Sequence, residues 1–139
     1  MSEQNKAIVR RLFEEVWNNN NLDLADELLV SEYEDHNAPP GSTGGIEGYK
    51  QSVTMFRSAF PDLHYTLDDV RSEGDLVAIR LTARGTHKGM FMGISPTDKE
   101  VAFGGMTFMR LRDGKILERW GLSDMPGLMQ QLQGGPGGH

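Results

Sequence analysis

There is no cysteine among the 139 residues, which removes disulfides, thiolate nucleophiles and cysteine-based metal sites together. Any chemistry must then rest on carboxylates, histidine, tyrosine, serine or lysine. Basic residues are also scarce: 14 stand against 20 acidic ones, for a formal net charge of −6. That balance opposes the electrostatic attraction behind most nucleic-acid binding, so no nucleic-acid partner is expected. No apolar run approaches the roughly 20 residues needed to span a bilayer. The opening Met1-Ser2-Glu3-Gln4 lacks the basic and apolar regions of a signal peptide. The expectation is a cytoplasmic protein without a membrane partner. What is present is globular: 37% hydrophobic and 24% charged residues, in a length that suits one domain with its own core. That domain is placed at residues 1–133, followed by a glycine-rich tail over 134–139.

Hydrophobic spacing divides the chain in two. Ile8, Val9, Leu12, Phe13, Val16 and Trp17 recur at three- and four-residue intervals, one face of an amphipathic helix. The run Asn18-Asn19-Asn20-Asn21 breaks it, because Asn competes with the helical backbone, and Leu22 to Leu29 reads as a second, shorter helix. Tyr33 to Asn37 is a short extended entry, and Pro39 to Gly45 a loop. A third helix runs from Ile46 to Phe60, ended by Pro61. The period then falls to two, through Leu63, Tyr65 and Leu67 and through Val77, Ile79, Leu81 and Ala83. Strands Val101 to Arg112 and Lys115 to Ser123 flank Asp113-Gly114, a type I′ hairpin signal. Pro126 to Leu132 makes a last helix. Helices first and antiparallel strands after them predict an α+β fold with helices on one face of a sheet.

Several stretches, in this order and spacing, resemble one family: Val9-Arg10-Arg11, "GTHKGMFMGISPTDKEV" over 85–101, "MRLRDGKI" over 109–116 and "SDMPGLMQQL" over 123–132. The chain resembles the SnoaL-like polyketide cyclases, within the wider nuclear transport factor 2-like and ketosteroid isomerase-like superfamily, from about Ile8 to Leu132. The resemblance implies a cone-shaped, curved antiparallel or mixed sheet wrapped around three N-terminal helices, with an internal apolar pocket. It implies intramolecular aldol ring closure of a polyketide-like ester, with neither metal nor cofactor. The catalytic carboxylate would lie where the last strand meets the final helix, at Asp124, and a first-helix aromatic would line the pocket at Trp17 or Val16. Where a member of that family has a histidine in the strand before the hairpin, this chain has Thr107, which puts the same substrate in doubt.

The residues alone leave Asp124 between two roles. Asp caps helices by accepting backbone N–H bonds, and Pro126 suits an early helical position. Regular alternation instead puts Ile116, Glu118, Trp120, Leu122 and Asp124 on one face, unless Gly121 hosts a bulge. In such apolar company the anion would lose solvation, which favours accepting and returning a proton. The histidines show no metal-ligand spacing, so no metal site is expected. His64 reads as a solvated strand residue and His139 belongs to the tail. His87 is as well explained by a turn as by a pocket. His36, at the mouth of a long loop, shares its parity with Glu32 and Glu34, away from Tyr33, Asp35 and Asn37, and both a surface and a pocket role stay open. Asp35 is the alternative carboxylate, on the other parity. Trp17, Tyr33, His36, Thr107 and Trp120 are the expected substrate-binding set.

The functional expectation is a cofactor-independent cyclase acting on a hydrophobic small molecule by general acid/base catalysis. The alternatives are an isomerase or epoxide hydrolase of apolar substrates, or a non-catalytic binding or dimerisation module. Ala102, Met106 and Phe108 alternate with Phe103, Thr107 and Met109. This predicts an apolar outer sheet face covered by a partner, hence a homodimer or higher homo-oligomer.

Overall fold

A computed structural model describes residues 2–38 and 41–133. Helix α1 spans Ser2–Arg11 and continues as a π-helical stretch over Leu12–Asn18. The wider turn keeps Leu12, Phe13, Val16 and Trp17 all buried, a broader apolar face than 3.6-residue spacing alone presents. After the asparagine run, in which Asn20 takes a positive φ of 58°, the expected second helix is short. One 3₁₀ turn over Leu22–Leu24 leads into α2, Ala25–Leu28. Leu29 already belongs to strand β1, Leu29–Asp35, so this strand is longer than its extended entry predicted. Helix α3 spans Gly45–Ala59, and Arg57 donates to the carbonyls of Trp17, Leu63 and Pro61, tying its end to both neighbours.

Four strands follow: β2, His64–Glu73; β3, Leu76–Thr86; β4, Glu100–Arg112; and β5, Lys115–Ser123. Helix α4, Met125–Gln133, closes the described chain. The sheet order is β1-β5-β4-β3-β2. The last four strands form an antiparallel meander, and β1 joins its edge parallel to β5. This is the α+β layout expected, with a mixed five-stranded sheet. The β4–β5 turn has positive φ at Asp113 (53°) and Gly114 (81°), as the type I′ hairpin requires. The glycine-rich segment 134–139 and Pro39-Pro40 lie outside the described residues.

One face of the sheet is the core face. Val77, Ile79, Leu81 and Ala83 of β3, with Val101, Phe103, Thr107, Met109 and Leu111 of β4, are buried under the helices. The opposite face leaves Met106, Phe108 and Leu122 exposed by 63%, 49% and 74%.

Candidate functional site

The helices do not fill the whole inner face. Between it, the end of the first helix, α3 and the β3–β4 connection lies a cavity of about 610 Å³, within the range of small-molecule sites. Most of its wall is aromatic or apolar: Phe13, Trp17, Tyr49, Phe56, Tyr65, Leu81 and Phe91. Trp17 is held by a hydrogen bond from its indole Nε1 to the Tyr49 hydroxyl, 2.5 Å, and by ring contacts with Tyr49, Phe56 and Tyr65. The polar wall comes from the β1–β5–β4 side, where Asp35, Asn37, Thr107, Arg119 and Gly121 face the cavity.

Within that polar wall, Arg119 Nη1 donates to both oxygens of Asp35, at 3.0 and 2.9 Å. Both side chains are largely buried, with exposures of 17% for Asp35 and 21% for Arg119. The backbone N–H of Asn37 adds a third bond to Asp35, 2.9 Å, and Asn37 Oδ1 accepts the N–H of Gly121, 3.0 Å. The pair exists because β1 runs parallel beside β5, with Asp35 in register with Arg119.

A bulge decides which side chains face inward. Ile116 pairs with Leu111 but Glu118 pairs with Arg110, so Leu117 is an extra residue on β5, and one extra residue inverts the alternation beyond it. Ile116 belongs to the core, whereas Glu118, Trp120 and Leu122 fall on the outer face. Arg119 and Gly121, opposite Met109 and Thr107, take the inner one. The bulge lies at Leu117 rather than at Gly121.

This corrects the surroundings expected for Asp124. It does share the outer face with Trp120 and Leu122, but of these three only Leu122, at the rim, borders the cavity. Asp124 is exposed, is not among the cavity-lining residues, and caps α4 through Oδ1, which accepts the N–H of Gly127 at 2.9 Å. Trp120 is likewise outside the lining, stacked on His36 with ring centroids 4.7 Å apart. His36 borders the cavity mouth, but its imidazole Nε2 lies 2.8 Å from Glu118 Oε1. Trp17 and Thr107 line the cavity. Tyr33 is buried behind it, edge-on to Tyr49. Asp35, the alternative carboxylate, is in the wall.

The tyrosines are held neutral. Burial pushes the Tyr33 hydroxyl well above the ordinary tyrosine range, with the Asp35 charge adding to it. Tyr49 is raised by burial, then by Tyr33, and Tyr65 by burial. Such phenols do not serve as bases near neutral pH, and among the lining residues Asp35 supplies the carboxylate.

The remaining histidines have local roles. His87 is buried, and its Nδ1 lies 3.0 Å from the Thr97 hydroxyl and 3.2 Å from the Thr97 N–H, which ties the β3–β4 connection together. His64 is an exposed strand residue. The fold also gathers Glu34, His36 and Glu118, whose donor atoms lie within 4.8 Å of one another, a grouping that linear spacing does not reveal. This cluster lies on the exposed side, and Arg110 already occupies the second oxygen of Glu118 at 3.1 Å.

Sequence reasoning missed Arg119. Nothing local in "ERWG" marks it, and the signals that place it inward, the Leu117 bulge and the parallel β1–β5 pairing, are long-range. Among the described residues no helix is long and apolar enough to cross a membrane.

The model of the SnoaL-like polyketide cyclases matches residues 7–132. Nogalonic acid methyl ester cyclase of Streptomyces nogalater is 29% identical over 119 residues, 84% of this chain and 88% of that protein. Among solved structures, IdmH of Streptomyces antibioticus is 34% identical, with a TM-score of 0.82 over 93% of this chain and 98% of its own. A candidate SnoaL-like polyketide cyclase from Jannaschia sp. CCS1 is 26% identical, with a TM-score of 0.85 over 97% and 95%.

Proposed function

The chain belongs to the SnoaL-like polyketide cyclase family, and we propose from that premise that it closes a ring in a hydrophobic, carbonyl-rich small molecule by proton transfer within the cavity. The observation that carries this is the Asp35–Arg119 pair set in an otherwise apolar wall. An aldol closure needs a proton removed from a carbon between two carbonyls and a proton delivered to the new alkoxide. One carboxylate does both in turn: Asp35 takes the carbon-bound proton, the enolate carbon attacks the acceptor carbonyl, and the proton returns to the alkoxide oxygen. Such catalysis contributes on the order of 10²- to 10⁴-fold, and folding the chain against Trp17 and Phe56 supplies orientation. The proton passes from carbon to oxygen, the new C–C bond forms at the expense of the carbonyl π bond, and no electrons are exchanged with a cofactor. In this reading Asp35 takes the role first expected of Asp124, which keeps the cap.

The test compares wild type, Asp35→Asn and Asp124→Asn on a panel of β-dicarbonyl aromatic polyketide esters, following cyclised product by chromatography. Asp35→Asn is expected to lose at least 10²-fold in kcat, while Asp124→Asn, which keeps a capping oxygen, retains turnover. Loss in Asp124→Asn with Asp35→Asn fully active returns the role to Asp124. Wild type that binds the panel without converting any member supports a binding module instead.

The reading includes a homodimer. Met106, Phe108 and Leu122 form an exposed apolar group on the outer faces of β4 and β5, of the kind that monomers rarely leave uncovered.

A further inference from the structure

We infer that Arg119 is an oxyanion-binding residue: the unoccupied edge of its guanidinium, laid over Gly121 beside Thr107, receives an enolate-type or carboxylate oxygen of the ligand. The inference rests on the cavity being the substrate site, and adds the chemical class that the site prefers.

A guanidinium carries five N–H donors in a planar fork, and a carboxylate usually takes two parallel bonds from it. Here only Nη1 is used, for both oxygens of Asp35. Among the described residues the N–H groups of Nη2 and Nε have no acceptor. The Thr107 hydroxyl, on the strand opposite, lies 2.9 Å from where a Gly121 Cβ would stand, on a residue only 4% exposed. Burying an ion pair is costly unless its remaining hydrogen-bonding capacity is met, and here Asp35, Arg119 and Thr107 all line the cavity.

Gly121 explains how the guanidinium reaches this place. A Cβ built there would stand 2.3 Å from Arg119 Nη2, 2.6 Å from Cζ and 2.9 Å from Thr107 Oγ1. Gly121 is not among the residues with positive φ, so its backbone does not require glycine. The missing side chain is needed for room, and the space it leaves is shared by the Arg119 fork and the Thr107 hydroxyl. Donors fixed in a water-poor site and aimed where negative charge develops are the arrangement that stabilises an enolate or alkoxide. Because Asp35 balances Arg119, the pair is neutral before the ligand arrives, and the spare donors favour a ligand oxygen that bears negative charge over a neutral one.

The test is calorimetric titration of the full chain with 2-naphthoate and with 2-acetylnaphthalene, which replaces one carboxylate oxygen by a methyl group. Wild type is expected to prefer 2-naphthoate by at least tenfold, and Thr107→Val to reduce that preference a few-fold. Arg119→Gln should abolish it, 2-naphthoate losing at least tenfold more affinity than 2-acetylnaphthalene does. Since Arg119→Gln alone leaves Asp35 unpaired, the double variant Asp35→Asn/Arg119→Gln removes both charges together and should lose the same preference. Equal affinities in wild type, no binding of 2-naphthoate, or a preference that survives in the folded double variant would each overturn the inference. Turnover of polyketide esters by a wild type without anion preference would sink this subsite and leave the cyclase reading standing.

Discussion

Arg119 and Gly121 use one volume: the guanidinium of the first lies where a side chain on the second would be, with Nη2 only 2.3 Å from the place of the missing Cβ. Gly121→Ala therefore forces the guanidinium out of its place beside Thr107. A methyl inserted into a packed site costs about 1–3 kcal/mol. Denaturant unfolding should show a loss of that size, and turnover should fall far more than stability does. An alanine variant with wild-type turnover would mean that the guanidinium's position is unimportant.

Asp124 should behave as a cap. Asp124→Ala removes the acceptor for the Gly127 N–H and is expected to destabilise the protein by about 1 kcal/mol, whereas Asp124→Asn should lie within a few tenths. Urea midpoints of the three proteins check this, and equal losses in Ala and Asn would argue against capping as the main role.

Acid should weaken one anchor of the β3–β4 connection. Burial works to raise the Asp62 carboxyl, but the N–H and O–H of Thr86, at 2.7 and 2.8 Å, outweigh it and hold the group below the ordinary carboxylate range. A lowered folded-state value means that the stabilisation is complete above the unfolded-state value, about 3.9, and is lost as pH falls through the folded one. Asp62→Asn should be less stable than wild type by about 1 kcal/mol at pH 7, with the gap closing towards pH 2. A gap independent of pH would contradict the assignment.

The outer sheet face should govern assembly. Wild type is expected to sediment as a homodimer, and Met106→Glu/Leu122→Glu as a folded monomer, because charge at two exposed apolar positions opposes burial against a second copy. A wild-type monomer at micromolar concentration would remove the proposal.

Trp17 should matter to both fold and cavity. Trp17→Phe leaves the buried Tyr49 hydroxyl without the indole donor, at a cost of about 1–3 kcal/mol. Differential scanning calorimetry would read the change directly, and ligand affinity should fall with it.

Much of this architecture was legible because it depends on local periodicity and turn chemistry. The β4–β5 hairpin follows from Asp113-Gly114 tolerating positive φ at both positions, and α3 from its apolar spacing between a glycine-rich loop and Pro61. The cavity's aromatic side followed in the same way: Trp17 lies on the apolar stripe of the first helix, and Thr107 alternates with Met106 and Phe108 on β4. Helical residues Leu12–Asn18 wound more widely than the spacing implied, yet their apolar face stayed where it was expected.

Composition and periodicity alone thus determined an α+β chain of cysteine-free, acidic character, its core stripes and its hairpin, because each depends on neighbours a few residues apart. The tertiary structure decided which carboxylate meets the cavity. One extra residue at Leu117 reversed the facing of every side chain after it on β5, sending Asp124 outward and Arg119 inward. Parallel pairing across 84 residues then set Asp35 against Arg119. Alternation carries no memory of a bulge, and a strand's distant partner leaves no local mark, so those two relationships appear only when the sheet is assembled.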